Sequence, residues 1–256
     1  MKHAVICVPG SVAAAAERYG PLQNLVADQA DLFLKDLEVY REPKPPADYT
    51  IDEELEAIDR LADAKRLDRF HLVGYSGGGF ISLAYAGTRP QRLLSLAMFE
   101  PARIPGELTA EEHAFYDGLA QKLAGLDGPQ FMTTFVREQV KPGAVLPPPP
   151  SGPPSPEMQK RPAGIAALIK SFDAYRFDRE LLRGLKGPVY YGYGDLSHEE
   201  QALKAGILAQ LFTDIRVQRF AGVHHFVPAG QIYTRAHADA LLDLWVQGEK
   251  VQAVPA

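Results

Sequence analysis

Residues 70–87 read FHLVGYSGGGFISLAYAG. Bulky residues run from Phe70 to Val73, the run breaks at Gly74, Gly77, Gly78 and Gly79, and an uncharged segment follows. The first part predicts a strand buried on both faces and the last a buried helix over Gly77–Ala86, so the break is a strand-to-helix turn. Gly74-Tyr75-Ser76-Gly77-Gly78 fits G-x-S-x-G. A turn this sharp leaves little room for side chains beside the serine, and glycine lets backbones approach and accepts strained dihedrals. A serine needed only to cap the helix would not require small residues on both flanks. Ser76 is therefore a candidate nucleophile, and the rest of the chain must supply its partners.

Working outward, HAVICVP (residues 3–9) is a short apolar run ended by Pro-Gly, the pattern of a buried strand. Residues from about Gly20 to Leu34 place Leu22, Leu25, Val26 and Ala30 at helical spacing, and DLEVYREP (36–43) reads as the next strand. Ile51–Ala64 is an amphipathic helix with acids in its first turn. RLLSLAMFEPA (92–102) is a strand. After Pro101 the chain is helical in pieces from about Thr109 to Ser171. That stretch includes LPPPPSGPPSP (146–156), where seven of the 21 prolines predict an extended surface connection. Alternation returns with GPVYYGYGD, a helix from about Glu199 to Leu211, the strand IRVQRFAG and a closing helix from Tyr233 to Gln247. The pattern predicts βαβ units and one parallel sheet interrupted by a helical insertion.

The bulk properties restrict the function. With 256 residues, 46% hydrophobic and 23% charged, the chain can bury one large core. A net charge of −5 without a basic stripe argues against nucleic acid or an anionic membrane as partner and leaves a small-molecule substrate. Cys7 is the only cysteine, so no intrachain disulfide forms. No apolar stretch reaches the ~18 residues of a transmembrane helix, and the first apolar run is too short for a signal sequence. The expected location is the cytoplasm, as a monomer or homodimer. No HExxH or CxxC motif, P-loop or dinucleotide fingerprint is present, so neither a metal nor a cofactor is expected.

The strand order, the G-x-S-x-G turn and the helical insertion after MFEPA together resemble the α/β-hydrolase superfamily over nearly the whole chain. The resemblance implies a three-layer fold, a mostly parallel sheet flanked by helices. It divides the chain into a core of residues 1–102 and 186–256 and a small helical cap of 103–185 with a Pro-rich loop at 147–156. Relatives usually carry further strands before the first one seen here, so the edge hairpin is expected to be missing.

A serine hydroxyl becomes nucleophilic when a base takes its proton and a third group orients that base. Seven histidines compete. His3 precedes the first strand, His71 lies in the strand before Ser76, His113 and His198 are in polar helical contexts, and His237 is in the last helix. Only His224 and His225 occupy a loop after the final predicted strand, in FAGVHHFVPAG (220–230). The family's habit of placing the base before an aromatic and a proline implies His225, with His224 as the alternative. In this family the acid falls between serine and histidine in the chain, and the resemblance implies Asp195, at the exit of VYYGYG where the family usually keeps it, with Glu100 after LLSLAMF, a position some relatives use, as the alternative. Asp195 otherwise reads as a helix N-cap. The oxyanion amides are implied at Gly77 and, in the loop Pro9-Gly10-Ser11, at Ser11. Proline at position 9 replaces a histidine that in relatives often braces this loop.

A serine at the turn argues against the branches of the family that need a carboxylate nucleophile. The expected activity is hydrolysis of a small carboxylic ester, thioester or lactone through an acyl-enzyme on Ser76. Phe115, Phe131, Met132 and Phe135 of the cap are candidates to line the acyl pocket. Carbon–carbon bond hydrolysis, lyase or cofactor-independent oxygenase chemistry on the same residues, or a hydrolase-like small-ligand receptor, remain open at this level, because they differ in pocket shape and not in motif.

Overall fold

Parallel strands covered by helices on both sides carry apolar residues at nearly every position, and alternate residues then belong to opposite cores. The computed structural model, which describes residues 2–148 and 153–253, shows this directly. In chain order its main elements are β1 (His3–Val8), α1 (Ala15–Val26), β2 (Ala30–Leu34), α2 (Ile51–Ala64), β3 (Phe70–Tyr75), α3 (Gly77–Thr88) and β4 (Leu93–Phe99). There follow α4 (Ala110–Leu123), α5 (Gly128–Glu138), α6 (Pro156–Ala174), β5 (Val189–Gly194), α7 (Glu200–Leu211), β6 (Ile215–Phe220), the single turn α8 (Ala229–Ile232) and α9 (Arg235–Ala253). Ile6, Val8, Phe70, Leu72, Leu96 and Met98 pack under α2, α3 and α7. Their neighbours Val5, Cys7, Val73, Tyr75, Ala97 and Phe99 pack under α1 and α9. The three layers follow from this period of two.

All strand pairs are parallel, in the order β2-β1-β3-β4-β5-β6. From β1 the chain goes to β2 on one side and, by way of β2, returns to β3 on the other. The direction of winding reverses between β1 and β3, and the crevice at the carboxyl ends of such a pair is where open α/β sheets bind ligands. The loop after β1 is Pro9-Gly10-Ser11 and the residue after β3 is Ser76.

Two expectations between residues 15 and 43 are corrected. The helix begins at Ala15 and ends at Val26, and the second strand is Ala30–Leu34, not residues 36–43. Residues 35–40 are committed to other bonds. The Asp36 carboxylate accepts from the Ala15 amide (2.7 Å), supplying α1 with the N-terminal partner its own Ala14 lacks. Lys35 Nζ reaches the fully buried Glu54 of α2 (2.7 Å), which also accepts from the Glu38 amide (2.7 Å) and the Tyr49 hydroxyl (2.9 Å). These bonds wind residues 38–40 into a 3-10 turn that buries Tyr40.

The segment between β4 and β5 is helical, with α4, α5 and α6 enclosing an apolar cluster of Leu123, Phe131, Phe135 and Ile165. Part of the Pro-rich stretch, residues 149–152, lies outside the described residues. After α5 the chain docks on the loop following β5, through a Val140–Ser197 bridge and the Lys141 amide donating to the Leu196 carbonyl (2.9 Å). No described helix is long and apolar enough to cross a membrane.

Candidate active site

The two glycines of the turn are required by backbone proximity. A Cβ at Gly78 would lie 2.2 Å from the Val8 carbonyl oxygen, and one at Gly74 would lie 2.7 Å from that of Gly78. The strained dihedrals fall on the serine itself, with φ 52° and ψ −117°. Such a residue costs on the order of 1–3 kcal/mol and persists because its surroundings hold it. Here the Ser76 amide donates to the Phe99 carbonyl (3.1 Å), and the Ser76 carbonyl accepts from Gly79 (2.9 Å) and Ala102 (2.8 Å). Although Ser76 is at the N-cap position of α3, its hydroxyl makes no capping bond. The hydroxyl instead faces the His225 imidazole, with Oγ 3.0 Å from Nε2. That distinction separates a turn residue from a hydroxyl held for chemistry.

The other histidine nitrogen meets Glu100. Nδ1–H donates to the Glu100 carboxylate at 2.6 Å, which leaves Nε2 to accept the Ser76 proton. Glu100 is fully buried, and its second oxygen accepts from the Gly194 amide and the Ser197 hydroxyl, both at 2.6 Å. Its backbone, like that of Ser76, is left-handed, with φ 46°. The ends of the adjacent strands β3 and β4 thus carry two strained residues whose side chains converge on one imidazole. The Tyr75 phenol, whose burial pushes its pKa well above the ordinary value, donates to the His225 carbonyl and fixes the backbone under that ring.

Asp195 stands elsewhere, which corrects the expectation that it faces the base. Its amide pairs with the Phe220 carbonyl (2.9 Å) at the end of β6, and its carboxylate accepts from the Gly222 amide (2.8 Å). It therefore ties down the turn that leads to the histidine loop. It does not cap α7 either, since the residue before that helix is Glu199. The alternative base, His224, is turned away from Ser76. Its Nδ1 accepts from the Phe226 amide (3.1 Å), so Nε2–H donates to the Val145 carbonyl (3.0 Å) and links this loop to the segment after α5.

The loop after β1 lies against the nucleophile. A Cβ on Gly10 would be 2.8 Å from Ser76 Cβ, and the Pro9 carbonyl accepts from the Gly78 amide (3.0 Å). Among the described residues, neither the Ser11 nor the Gly77 amide donates to a protein acceptor. The two residues lie beside each other, a Cβ on Gly77 falling 3.8 Å from Ser11 N. Proline at position 9 offers no brace, and the structure shows what replaces it. The Ser11 carbonyl accepts from the Tyr40 hydroxyl (2.8 Å) and from Arg161 of α6 (3.2 Å), whose guanidinium stacks 4.2 Å over the Tyr40 ring. Gly164 makes this possible, because a Cβ there would lie 2.0 Å from Tyr40 Cε1. No local signal marks Tyr40 or Arg161, which are 121 positions apart and meet only through the fold.

Ser76, Gly77 and Ser11 form the floor of a cavity of about 170 Å³ beneath α4, α5 and α6. Its walls are mainly apolar and include Leu123, Phe135, Ile165, Leu168 and Phe172. One side is polar, where Arg103 pairs with Asp173 (2.6 Å) and the Tyr116 hydroxyl with the buried Glu200. Of the expected lining residues, Phe115 and Phe135 face the cavity, while Phe131 and Met132 pack in the helices' own core. A recess of about 10 Å³ between Gly10, Ser76 and His225 is the size of one water molecule.

The sequence profile described as the alpha/beta hydrolase fold matches residues 3–228. No curated protein matches the sequence. Among solved structures, a bacterial membrane phospholipase A is similar with a TM-score of 0.73 at 16% identity, over 99% of this chain and 80% of that one. A thermophilic esterase from Thermogutta terrifontis is similar with a TM-score of 0.69 at 17% identity, over 98% and 91%. A meta-cleavage product hydrolase from Pseudomonas fluorescens has a TM-score of 0.61 at 14% identity, over 95% and 90%.

Proposed function

The chain belongs to the alpha/beta hydrolase family, and we propose that it is a serine hydrolase transferring the acyl group of a small carboxylic ester, thioester or lactone to water. The observation that carries this reading is the continuous chain from the Ser76 hydroxyl through His225 to the buried Glu100, opening on an enclosed apolar cavity.

The geometry supports the following steps. Ser76 Oγ attacks the substrate carbonyl while its proton passes to His225 Nε2, and the oxygen that gains charge is held by the Ser11 and Gly77 amides. The Glu100 carboxylate steadies the imidazolium, which gives its proton to the departing alcohol or thiol. Water in the recess beside His225 then attacks the acyl-enzyme, its proton going to Nε2, and the acid leaves as the Ser76 hydroxyl re-forms. The apolar walls suit the acyl part of a small substrate.

A fluorophosphonate should label Ser76 alone, as read by peptide mapping. A panel of nitrophenyl esters should show brisk turnover that Ser76→Ala lowers by roughly 10⁶ in kcat. Labelling elsewhere, or tight ligand binding with negligible turnover, would overturn the hydrolase reading and favour a receptor.

A further inference from the structure

We propose that His3, His71 and Glu249 form a binding site for one zinc-class divalent ion at the end of the sheet opposite Ser76. The period of two that builds the cores also builds this cluster. His3 shares its face of β1 with Val5 and Cys7, and His71 shares its face of β3 with Val73 and Tyr75, the face covered by α9. Glu249 lies on α9 one turn after the buried Trp245. Gly248 lets the helix descend, since a Cβ there would be 2.5 Å from the Leu94 carbonyl oxygen.

One ligand atom from each of the three side chains lies within 4.8 Å of the others. Glu249 Oε1 is 2.8 Å from His3 Nδ1 and 3.7 Å from His71 Nε2. Donors around a tetrahedral ion at ~2.0–2.1 Å sit ~3.3 Å apart, so small side-chain rotations complete the set, with a fourth place for water. A plain hydrogen bond between His3 and Glu249 accounts for part of the cluster but leaves His71 unexplained. That residue is 0% exposed, and its Nε2 has no hydrogen-bond partner. Buried nitrogens are rarely left so, because the lost hydration is not recovered. His71 Nδ1 meets the Ser95 hydroxyl at 2.8 Å, the type of outer contact that orients a ligating imidazole and directs the other nitrogen at the metal. Two imidazoles and a carboxylate suit zinc and its neighbours over calcium or magnesium, which prefer all-oxygen sites.

The site is distant from the chemistry. His71 precedes Ser76 by five residues of extended chain, roughly 16 Å. The ion would join the first strand, the third strand and the C-terminal helix through side chains at positions 3, 71 and 249. Its expected effect is on stability and not on turnover.

The test is calorimetric titration of ZnCl2 into tag-free, chelator-treated protein, with MgCl2 as control. One ion per chain with a micromolar or tighter Kd is expected, together with a rise in Tm that depends on zinc concentration. Glu249→Gln, at a half-exposed side chain that does not threaten folding, should weaken binding at least tenfold, as should His3→Ala. Ser95→Ala should weaken it by about 10–100-fold through the orientation of His71. Absence of saturable binding below 1 mM would refute the site, with about 1 mM taken as the weak end of specific affinity. Equal affinity in the wild type and the Glu249→Gln and His3→Ala variants would also refute it, as adventitious binding elsewhere.

Discussion

Replacing Glu100 by glutamine should remove nearly all ester hydrolysis, and the bonds around the carboxylate show why. One oxygen accepts from His225 Nδ1–H, and the other accepts from the Gly194 amide and the Ser197 hydroxyl, all at 2.6 Å. An amide in the same place has one acceptor and one donor. If its NH2 faces His225, the imidazole must place its proton on Nε2, where it can no longer take one from Ser76. If the NH2 faces the other side, it meets the Gly194 N–H, and a buried donor goes unpaired at about 1–3 kcal/mol. The wrong tautomer in such a triad lowers kcat by about 10⁴, or ~5.5 kcal/mol of transition-state stabilisation. Asp195→Asn should behave differently, because an asparagine oxygen can still accept from Gly222 N–H. A change of no more than about threefold in kcat/KM is expected there, with a stability loss under about 1 kcal/mol. Both variants are compared by kcat/KM on a nitrophenyl ester, with thermal melts to confirm folding. If Glu100→Gln kept a tenth or more of the wild-type kcat (against the roughly 10⁴ expected), or Asp195→Asn lost activity equally, the assignment of the acid would fail.

Arg161→Ala should lower kcat by about 10- to 100-fold with KM nearly unchanged, since it frees the Ser11 loop on which the oxyanion amide depends, and steady-state kinetics separates the two effects. Gly78→Ala should cost about 3 kcal/mol or more, read in urea unfolding, because its methyl would press on the Val8 and Pro9 carbonyl oxygens, which are backbone and cannot yield. For pH, His237 is the informative group. Burial lowers its pKa from 6.5 to about 4, so between these values the unfolded chain binds a proton that the folded one does not. Stability should therefore fall as pH drops from about 6.5 towards 4, by on the order of 3 kcal/mol from this residue, and His237→Gln should flatten the loss.

The sequence carried what is decided within a window of about ten residues. Apolar runs and turn glycines marked β3, the sharp bend and α3, and the alternation of strands with helices implied the parallel sheet. Position along the chain placed His224 and His225 in the loop after the last strand, and the family resemblance favoured His225, the one whose ring lies against Ser76. What it left open was decided between windows. Asp195 and Glu100 both follow strands that end at the same edge of the sheet. Only the path of the chain after β6, pinned by Asp195 itself, determines which carboxylate the imidazole meets. The second strand shifted by several residues, because Asp36 and Lys35 bond to α1 and α2, and such competition does not appear in periodicity. Tyr40 and Arg161 at the Ser11 loop, and His3, His71 and Glu249 at the far end of the sheet, have no spacing that a motif could record. Local backbone preferences act through neighbours along the chain, whereas hydrogen bonds and ligand sets need only proximity in space, which the folded layers alone create.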